Sequence, residues 1–502
     1  MSEELHNYQA GAFTRLATGP SEQQIKYSFE PVWPFEKPFF SSGISINLAW
    51  ITMLGEEGII DQSTASDLLN ALLLLEAGGP DAFDFQASRG DVYFNLQADL
   101  MEKLGTDHGG QIYIGRSRID GDPAILRLYI RERTLNLARS LNALSQVCMD
   151  LTEKHLGSVM PGYTGSQAAQ PWTFGHYLLS FVDAFQRDVY RLQVAYSGIN
   201  KCPLGAGTGA GSDLPLNRER AADLLGFEGL IENSREFVTA YDAFADVVAA
   251  CSIVLTHVGQ LAHDLHTWHT QEFAMIELGD EYCGSSSFMP QKKNPVPLHG
   301  IRATASASVG LFSAVMSVLK TSSQDFDRSA MKRPMMTAVD NAQNTVDYMA
   351  GALASVEANT DLMKERALLL GTTISEVARL VQTRGGLDWR TSHFVTERAV
   401  RIALDADVPV SELSGAILDE AGNAVCGQTF GFSDDDIRAV LDPQVFVETR
   451  CTRGSPNPDE TERMLKDRRI TVSESVKWIE DRDREHSAAR DELTKAISKL
   501  TS

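Results

Sequence analysis

Thirteen residues concentrate much of the chemistry this chain could do: Cys283-Gly284-Ser285-Ser286-Ser287-Phe288-Met289-Pro290-Gln291-Lys292-Lys293-Asn294-Pro295. Three consecutive serines supply hydroxyls, two lysines supply positive charge and Asn294 supplies an amide. Gly284 and the prolines forbid a regular helix, and Pro295 biases Asn294 towards an extended conformation. Two further polar loops accompany this one, Arg116-Ser117-Arg118-Ile119-Asp120-Gly121-Asp122 and Met160-Pro161-Gly162-Tyr163-Thr164-Gly165-Ser166-Gln167. Arg118 and Lys292 are suited to countering carboxylate charge, and Ser117, Thr164 and Asn294 to completing the hydrogen bonds. The ligand such an inventory fits is small and rich in carboxylates.

A chemical role for a serine needs an activated hydroxyl. As an acyl nucleophile, Ser286 or Ser287 would require a nearby histidine and an oxyanion hole, and the chain shows no G-x-S-x-G elbow. As a base, the serine would work as an alkoxide stabilised by lysine and backbone donors, in a loop that closes and excludes water. His263, His266 and His269 are spaced i, i+3, i+6, which does not put three imidazoles on one helix face, so no metal is expected. The glycine-rich run Pro203-Leu204-Gly205-Ala206-Gly207-Thr208-Gly209-Ala210-Gly211 lacks the preceding apolar strand of a dinucleotide site, so no cofactor is expected either.

Long helices must position these loops. From Phe237 to Met275, the residues Tyr241, Phe244, Val248, Cys251, Leu255, Val258, Leu261, Leu265 and Trp268 recur every three or four positions. That stripe predicts a helix of roughly 60 Å, which needs packing partners along its length. Similar helices are expected from Pro123 to Leu156, from His299, and from Pro334 towards Leu369. Shorter ones are expected over Ile44 to Glu56, Ser63 to Leu75 and Asp91 to Leu104. The proline-rich arm 31–40 is expected to be non-helical, and Gln111-Ile112-Tyr113-Ile114-Gly115 to be briefly extended. Gln170-Pro171 is read as a helix restart, and Ser433 with Asp436 as an N-cap pair. Several long helices imply a bundle completed by identical subunits.

Composition narrows the class. The chain has 502 residues, 43% hydrophobic and 22% charged, as globular proteins do. A net charge of -22 argues against nucleic acid or an anionic membrane surface as partner. The six cysteines are scattered without CxxC pairs and read as reduced thiols in a cytoplasmic protein. Met1-Ser2-Glu3-Glu4-Leu5-His6-Asn7 has no signal-peptide character, and no segment is read as a membrane span, with 303–319 coming nearest.

The run Ser286-Ser287-Phe288-Met289-Pro290-Gln291-Lys292-Lys293-Asn294-Pro295 resembles the signature of the fumarase/aspartase superfamily. Gly115-Arg116-Ser117-Arg118, Met160-Pro161-Gly162-Tyr163-Thr164 with Gln167, Gln170-Pro171, Pro203-Leu204-Gly205 and Gly454-Ser455-Pro456 are similar to its argininosuccinate lyase branch. The resemblance implies an all-α fold: a central bundle of long helices over 116–369, flanked by smaller helical domains over 1–115 and 370–502. It implies a homotetramer whose active sites each draw on three subunits. The implied reaction is reversible elimination of an amine or alcohol from a substituted succinate to give fumarate. By position, Ser286 is the base, Lys292 and Asn294 hold the carboxylate, and Ser117, Arg118, Thr164, Gln167, Ser287 and Met289 complete the substrate site.

The chain also departs from that pattern. Ser285 stands where the branch has Gly, and Ile119 where it has Asn. Gly165-Ser166 replaces a His-Leu pair whose histidine is associated with proton transfer. His263 stands where a Glu on the long helix partners that histidine. The stretch Thr321-Ser322-Ser323-Gln324-Asp325-Phe326-Asp327 lacks the Tyr, Lys and Gln around the leaving group. The substrate expected is therefore an N-substituted aspartate other than argininosuccinate, of the ethylenediamine-disuccinate type, and His263 either partly replaces the lost imidazole or is a buried or solvated histidine. The alternatives are argininosuccinate cleavage and a non-catalytic structural relative.

Overall fold

The computed structural model describes residues 18–323 and 329–502. Nearly all the regular structure is helical. The N-terminal part carries α1 (Phe40–Glu56), α2 (Gln62–Gly78) and α3 (Val92–Gly109), and Asp61 caps α2 by accepting the Thr64 N–H. The proline-rich arm before them is also helical, contrary to expectation: Val32–Glu36 is a short α-helix and Lys37–Phe39 a 3-10 turn. Each of Pro34 and Pro38 falls in the first turn of its own short helix, where a proline forfeits no hydrogen bond. Trp33 of this arm stacks on Phe85 with centroids 5.7 Å apart. Residues 111–115 form consecutive turns, not an extended segment.

Five long helices form the centre: α4 (Arg118–Lys154), α5 (Phe174–Ile199), α6 (Asp242–His269), α7 (Val296–Leu319) and α8 (Ser329–Ala354). α4 lies against α5 and α8, and α6 against α5, α7 and α8. α4 starts one turn before Pro123, because Ser117 and Asp120 form a capping box that satisfies the first free N–H groups. α6, at 28 residues, is about 42 Å long, shorter than the stripe suggested, because a 3-10 turn precedes it and extended Thr270 ends it. The helix expected through Leu369 breaks after Ala354 and resumes as α9 (Thr360–Leu369).

Smaller helices follow, α10 (Ile374–Gly385), α11 (Trp389–Asp405), α12 (Gly415–Cys426) and α13 (Asp434–Leu441), with a core of their own around Val381, Val395 and Ile437. Ser433 and Asp436 form the expected capping box. The last helix, α14 (Pro458–Thr501), runs back over the other two regions. Leu465 and Val472 join the central core, and Leu493 and Ile497 join the N-terminal one.

α6 and α7 approach closely. A Cβ on Gly259 would stand 2.7 Å from the Cβ of Ala305, under van der Waals contact. Gly259→Leu is therefore expected to destabilise the protein by about 1–3 kcal/mol, read as a lowered midpoint in urea denaturation.

Two helical segments, Glu236–His269 and Val296–Leu319, have the length and apolar composition of a membrane span, although no span is expected from the sequence. Of the apolar window of the first, 67% is buried inside the chain, so α6 is a core helix. For α7 the figure is 17%, so this helix presents an apolar face that its own chain leaves largely uncovered.

Candidate active site

The serine-lysine loop is clamped at its base. Two-residue strands, Gly284–Ser285 and Lys293–Asn294, pair antiparallel with Gly284 opposite Asn294. The Asn294 side-chain amide donates to the Gly284 carbonyl at 3.2 Å. Lys293 Nζ lies 2.7 Å from both Glu277 Oε1 and Asp280 Oδ1. Its hydrogen bond holds the exposed Asp280 carboxyl below the usual range. Lys293 is thus a fastener. Lys292, next to it, has no ion pair among the described residues.

At the tip, Ser286 Oγ accepts the backbone N–H of Met289 at 3.0 Å and that of Phe288 at 3.3 Å. The Lys292 N–H donates to the Met289 carbonyl at 3.1 Å and closes the turn. Serine often makes such turns for purely local reasons. The chemical consequence holds all the same, since two donors aimed at one oxygen favour its negative form. Ser287 is exposed, and Phe288 is 91% exposed on a loop standing away from the body.

Behind the loop lies a cleft of about 920 Å³, between the end of α6, the first turn of α7 and a small strand pair, Ile276–Glu277 with Glu357–Ala358. Met289, Lys292 and Asn294 line it, together with His266, His269 and His299. Arg302 donates to His266 Nδ1 at 2.5 Å, and the Leu278 N–H donates to His269 Nδ1 at 3.3 Å. Arginine and a peptide N–H can only donate, so both rings carry their proton on Nε2. Burial, reinforced by Arg302 for His266 and by Lys293 for His269, pushes both imidazoles below their ordinary pKa. The pair are neutral donors. Rings of this tautomer can donate a hydrogen bond to an anion without being charged.

Ser286 and Ser287, on the same loop, are not among the residues lining this cleft, and the remaining expected residues also lie outside it within one chain. Ser117 caps α4, its Oγ accepting the Ile119 N–H at 3.2 Å. Arg118 is paired with Asp91 and lines a separate pocket with Glu36, Asp122 and Lys332. Lys332, buried, bonds Asp122 at 2.6 Å and Glu36 at 3.2 Å. Ile119 packs towards the apolar cluster of Ile231 and Phe237, which accounts locally for its departure from Asn. Buried Asp120 accepts the Gly207 N–H at 2.8 Å, and burial pushes its carboxyl up to about 6. The glycine-rich run therefore serves a buried carboxylate, with Gly205 and Gly207 at positive φ as its turns require.

Thr164 and Gln167 face each other at the tip of a hairpin, Val159–Thr164 with Gln167–Thr173, in place of the expected loop and helix restart. Gly165 and Ser166 have φ of 57° and 60°, the two positive values of a type I′ turn. The position where the branch has its histidine is here a tight backbone turn. His263 is exposed on α6 and is absent from the cleft lining. Residues 324–327 of the stretch expected near the leaving group lie outside the described residues.

Sequence reasoning missed His299, Lys332 and the fixed tautomers of His266 and His269. Only His299 left a signal: it follows Asn294 by five residues and precedes Arg302 by three on the same helix.

The geometry agrees with comparisons to known proteins. A lyase family profile matches residues 49–310. The argininosuccinate lyase of Methanocaldococcus jannaschii is 32% identical over 470 residues, spanning 93% of this chain and 95% of that protein. The argininosuccinate lyase of Methanocorpusculum labreanum is 33% identical, spanning 86% of this chain and 87% of that protein. The crystal structure of EDDS lyase in complex with formate superposes with a TM-score of 0.87 at 26% identity, spanning 100% of this chain and 99% of that one. Class II fumarase from Schistosoma mansoni, at 15% identity and a TM-score of 0.69 over 83% of this chain and 91% of that one, shares the fold. A signature loop on a helical bundle and relatives spanning both chains nearly end to end carry one conclusion: the chain belongs to this lyase family of the fumarase/aspartase superfamily and is a fumarate-forming carbon–nitrogen lyase.

Proposed function

We propose that the protein reversibly eliminates an amine from an N-substituted aspartate to give fumarate, with Ser286 as the base that removes the Cβ proton. The observation that carries this reading is the pair of backbone N–H groups on Ser286 Oγ, beside a cleft where Lys292 stands unpaired. Proton removal puts charge on the neighbouring carboxylate as an aci-carboxylate. Lys292, Asn294 and the Nε2–H donors of His266 and His269 are preorganised to hold such charge, which is the effective way to lower that barrier. Ser287 and Met289 flank the base on the same loop, and Met289 lines the cleft.

The remaining residues of the expected site, Ser117, Arg118, Thr164 and Gln167, are supplied by neighbouring copies in a homotetramer. Two features support this: these residues do not reach the cleft of their own chain, and the apolar α7 face awaits a partner. Covering that face with another copy removes the need for a membrane. His263, exposed on α6, belongs to the same shared surface.

The amine half is an aminopolycarboxylate of the ethylenediamine-disuccinate type. The hairpin turn at Gly165-Ser166 and the apolar packing of Ile119 remove polar groups on the leaving-group side, and the superposition on EDDS lyase supports the same assignment. The second reading is argininosuccinate cleavage, favoured by the names of the relatives at 31–33% identity. A panel decides between them. kcat/KM is expected to be at least tenfold higher for ethylenediamine-disuccinate than for argininosuccinate, and the reverse order would select the second reading.

A further inference from the structure

We propose that His299 is the proton-transferring imidazole of this site, handling the proton of the amine half while Ser286 handles the proton on carbon. The inference rests on the fumarate-forming reading above.

His299 stands in the first turn of α7 and shares the cleft wall with Lys292 and Asn294. Two other imidazoles line that wall, and both are committed. His266 Nδ1 is occupied by Arg302 and His269 Nδ1 by the Leu278 N–H, so neither ring can take a second proton without breaking that bond. The His299 ring meets His266 edge to face, with centroids 4.8 Å apart and planes at 72°, and no hydrogen bond engages either of its nitrogens among the described residues. It is therefore the cleft imidazole free both to accept and to donate a proton, as a general acid–base group must be.

The titratable and charged groups around His299 are Arg302 on its own helix, His266 and His269 on α6, Lys292 on the loop, and Glu272, Glu277 and Glu357 around the cleft. Lys293 is neutralised by Glu277 and Asp280. His263 lies outside the lining of this cleft, within which His299 is the imidazole with both nitrogens unengaged among the described residues.

The step balances. The Cβ–H bond breaks, its proton passes to Ser286 Oγ and its electron pair forms the carbon–carbon double bond. The C–N bond breaks with its pair on nitrogen, and the His299 imidazolium delivers a proton to that nitrogen. In the reverse direction neutral His299 removes a proton from the incoming amine.

The test compares wild type, His299→Ala and His299→Gln in the addition of ethylenediamine and simpler primary amines to fumarate, across pH. His299→Ala is expected to lower kcat about 10²-fold. The fall should be greatest for the most basic amines, one limb of the pH profile should vanish, added imidazole should restore part of the rate, and fumarate affinity should be retained. If His299→Ala does not fold, His299→Gln, which keeps polar bulk at an exposed site, gives the same readings. Rates within threefold of wild type, with both limbs of the profile kept, overturn the inference and leave the fumarate-forming reading standing. A wild type that joins no amine to fumarate overturns both.

Discussion

Ser286→Ala is expected to lower kcat by about 10³-fold or more, with fumarate binding retained. A positioned general base contributes typically about 10²–10⁴-fold, and among the described residues no other side chain of the loop accepts two backbone N–H groups in the same way. The loss should appear in kcat because the hydroxyl acts on a proton in flight and does not anchor the substrate. Ser287 supplies the comparison. It is exposed and makes no such contacts, so Ser287→Ala must cost at least tenfold less if the base is correctly assigned. Fold loss does not confuse the result, because the serine stands on a loop outside the hydrophobic cores.

Lys292→Gln carries the second large effect, a fall in kcat of about 10²–10³-fold, the usual consequence of removing one preorganised donor from a developing charge. Lys293→Gln should act by a different route. Its ammonium bridges Glu277 and Asp280 at the loop base, so its removal loosens the clamp and leaves two carboxylates facing each other near the cleft. The expected signature is a rise in KM with faster proteolysis of the loop, and a smaller loss of kcat than for Lys292→Gln. Steady-state kinetics with limited proteolysis separates the two lysines, and equal losses in kcat would remove the distinction drawn between them.

The parts of the fold legible in sequence are those governed by local periodicity. The stripe from Phe244 to Trp268 is one face of α6, and residues 284–295 lie in the break between α6 and α7. The failures have local causes too. Pro34 and Pro38 look like helix breakers until one sees that each occupies a first turn. The strand Gln167–Thr173 carries too little apolar alternation to announce itself, and its register depends on a Gly165-Ser166 turn that reads as any polar loop.

The candidate site divides the same way. Ser286, Lys292 and Asn294 share one short segment, so residue type and spacing were enough to bring them forward. His266 and His299 are on different helices, and only the packing of α6 on α7 brings their rings to 4.8 Å. Treated along one helix, the histidines at 263, 266 and 269 look like a scattered set; across two helices, 266, 269 and 299 line a single cleft. Likewise α14 hides its role, because the cores it completes lie hundreds of residues earlier in the chain.

The central claim is that Ser286 exchanges a proton with the carbon next to the amine-bearing carbon of a fumarate-derived product. It is tested most directly by incubating wild type and Ser286→Ala with fumarate and ethylenediamine in heavy water and following the products by NMR. The account expects wild type to form an N-substituted aspartate carrying one deuterium at Cβ, placed anti to the new nitrogen, and Ser286→Ala to form none. An adduct formed at the wild-type rate by Ser286→Ala would contradict it, as would a wild type that leaves fumarate untouched.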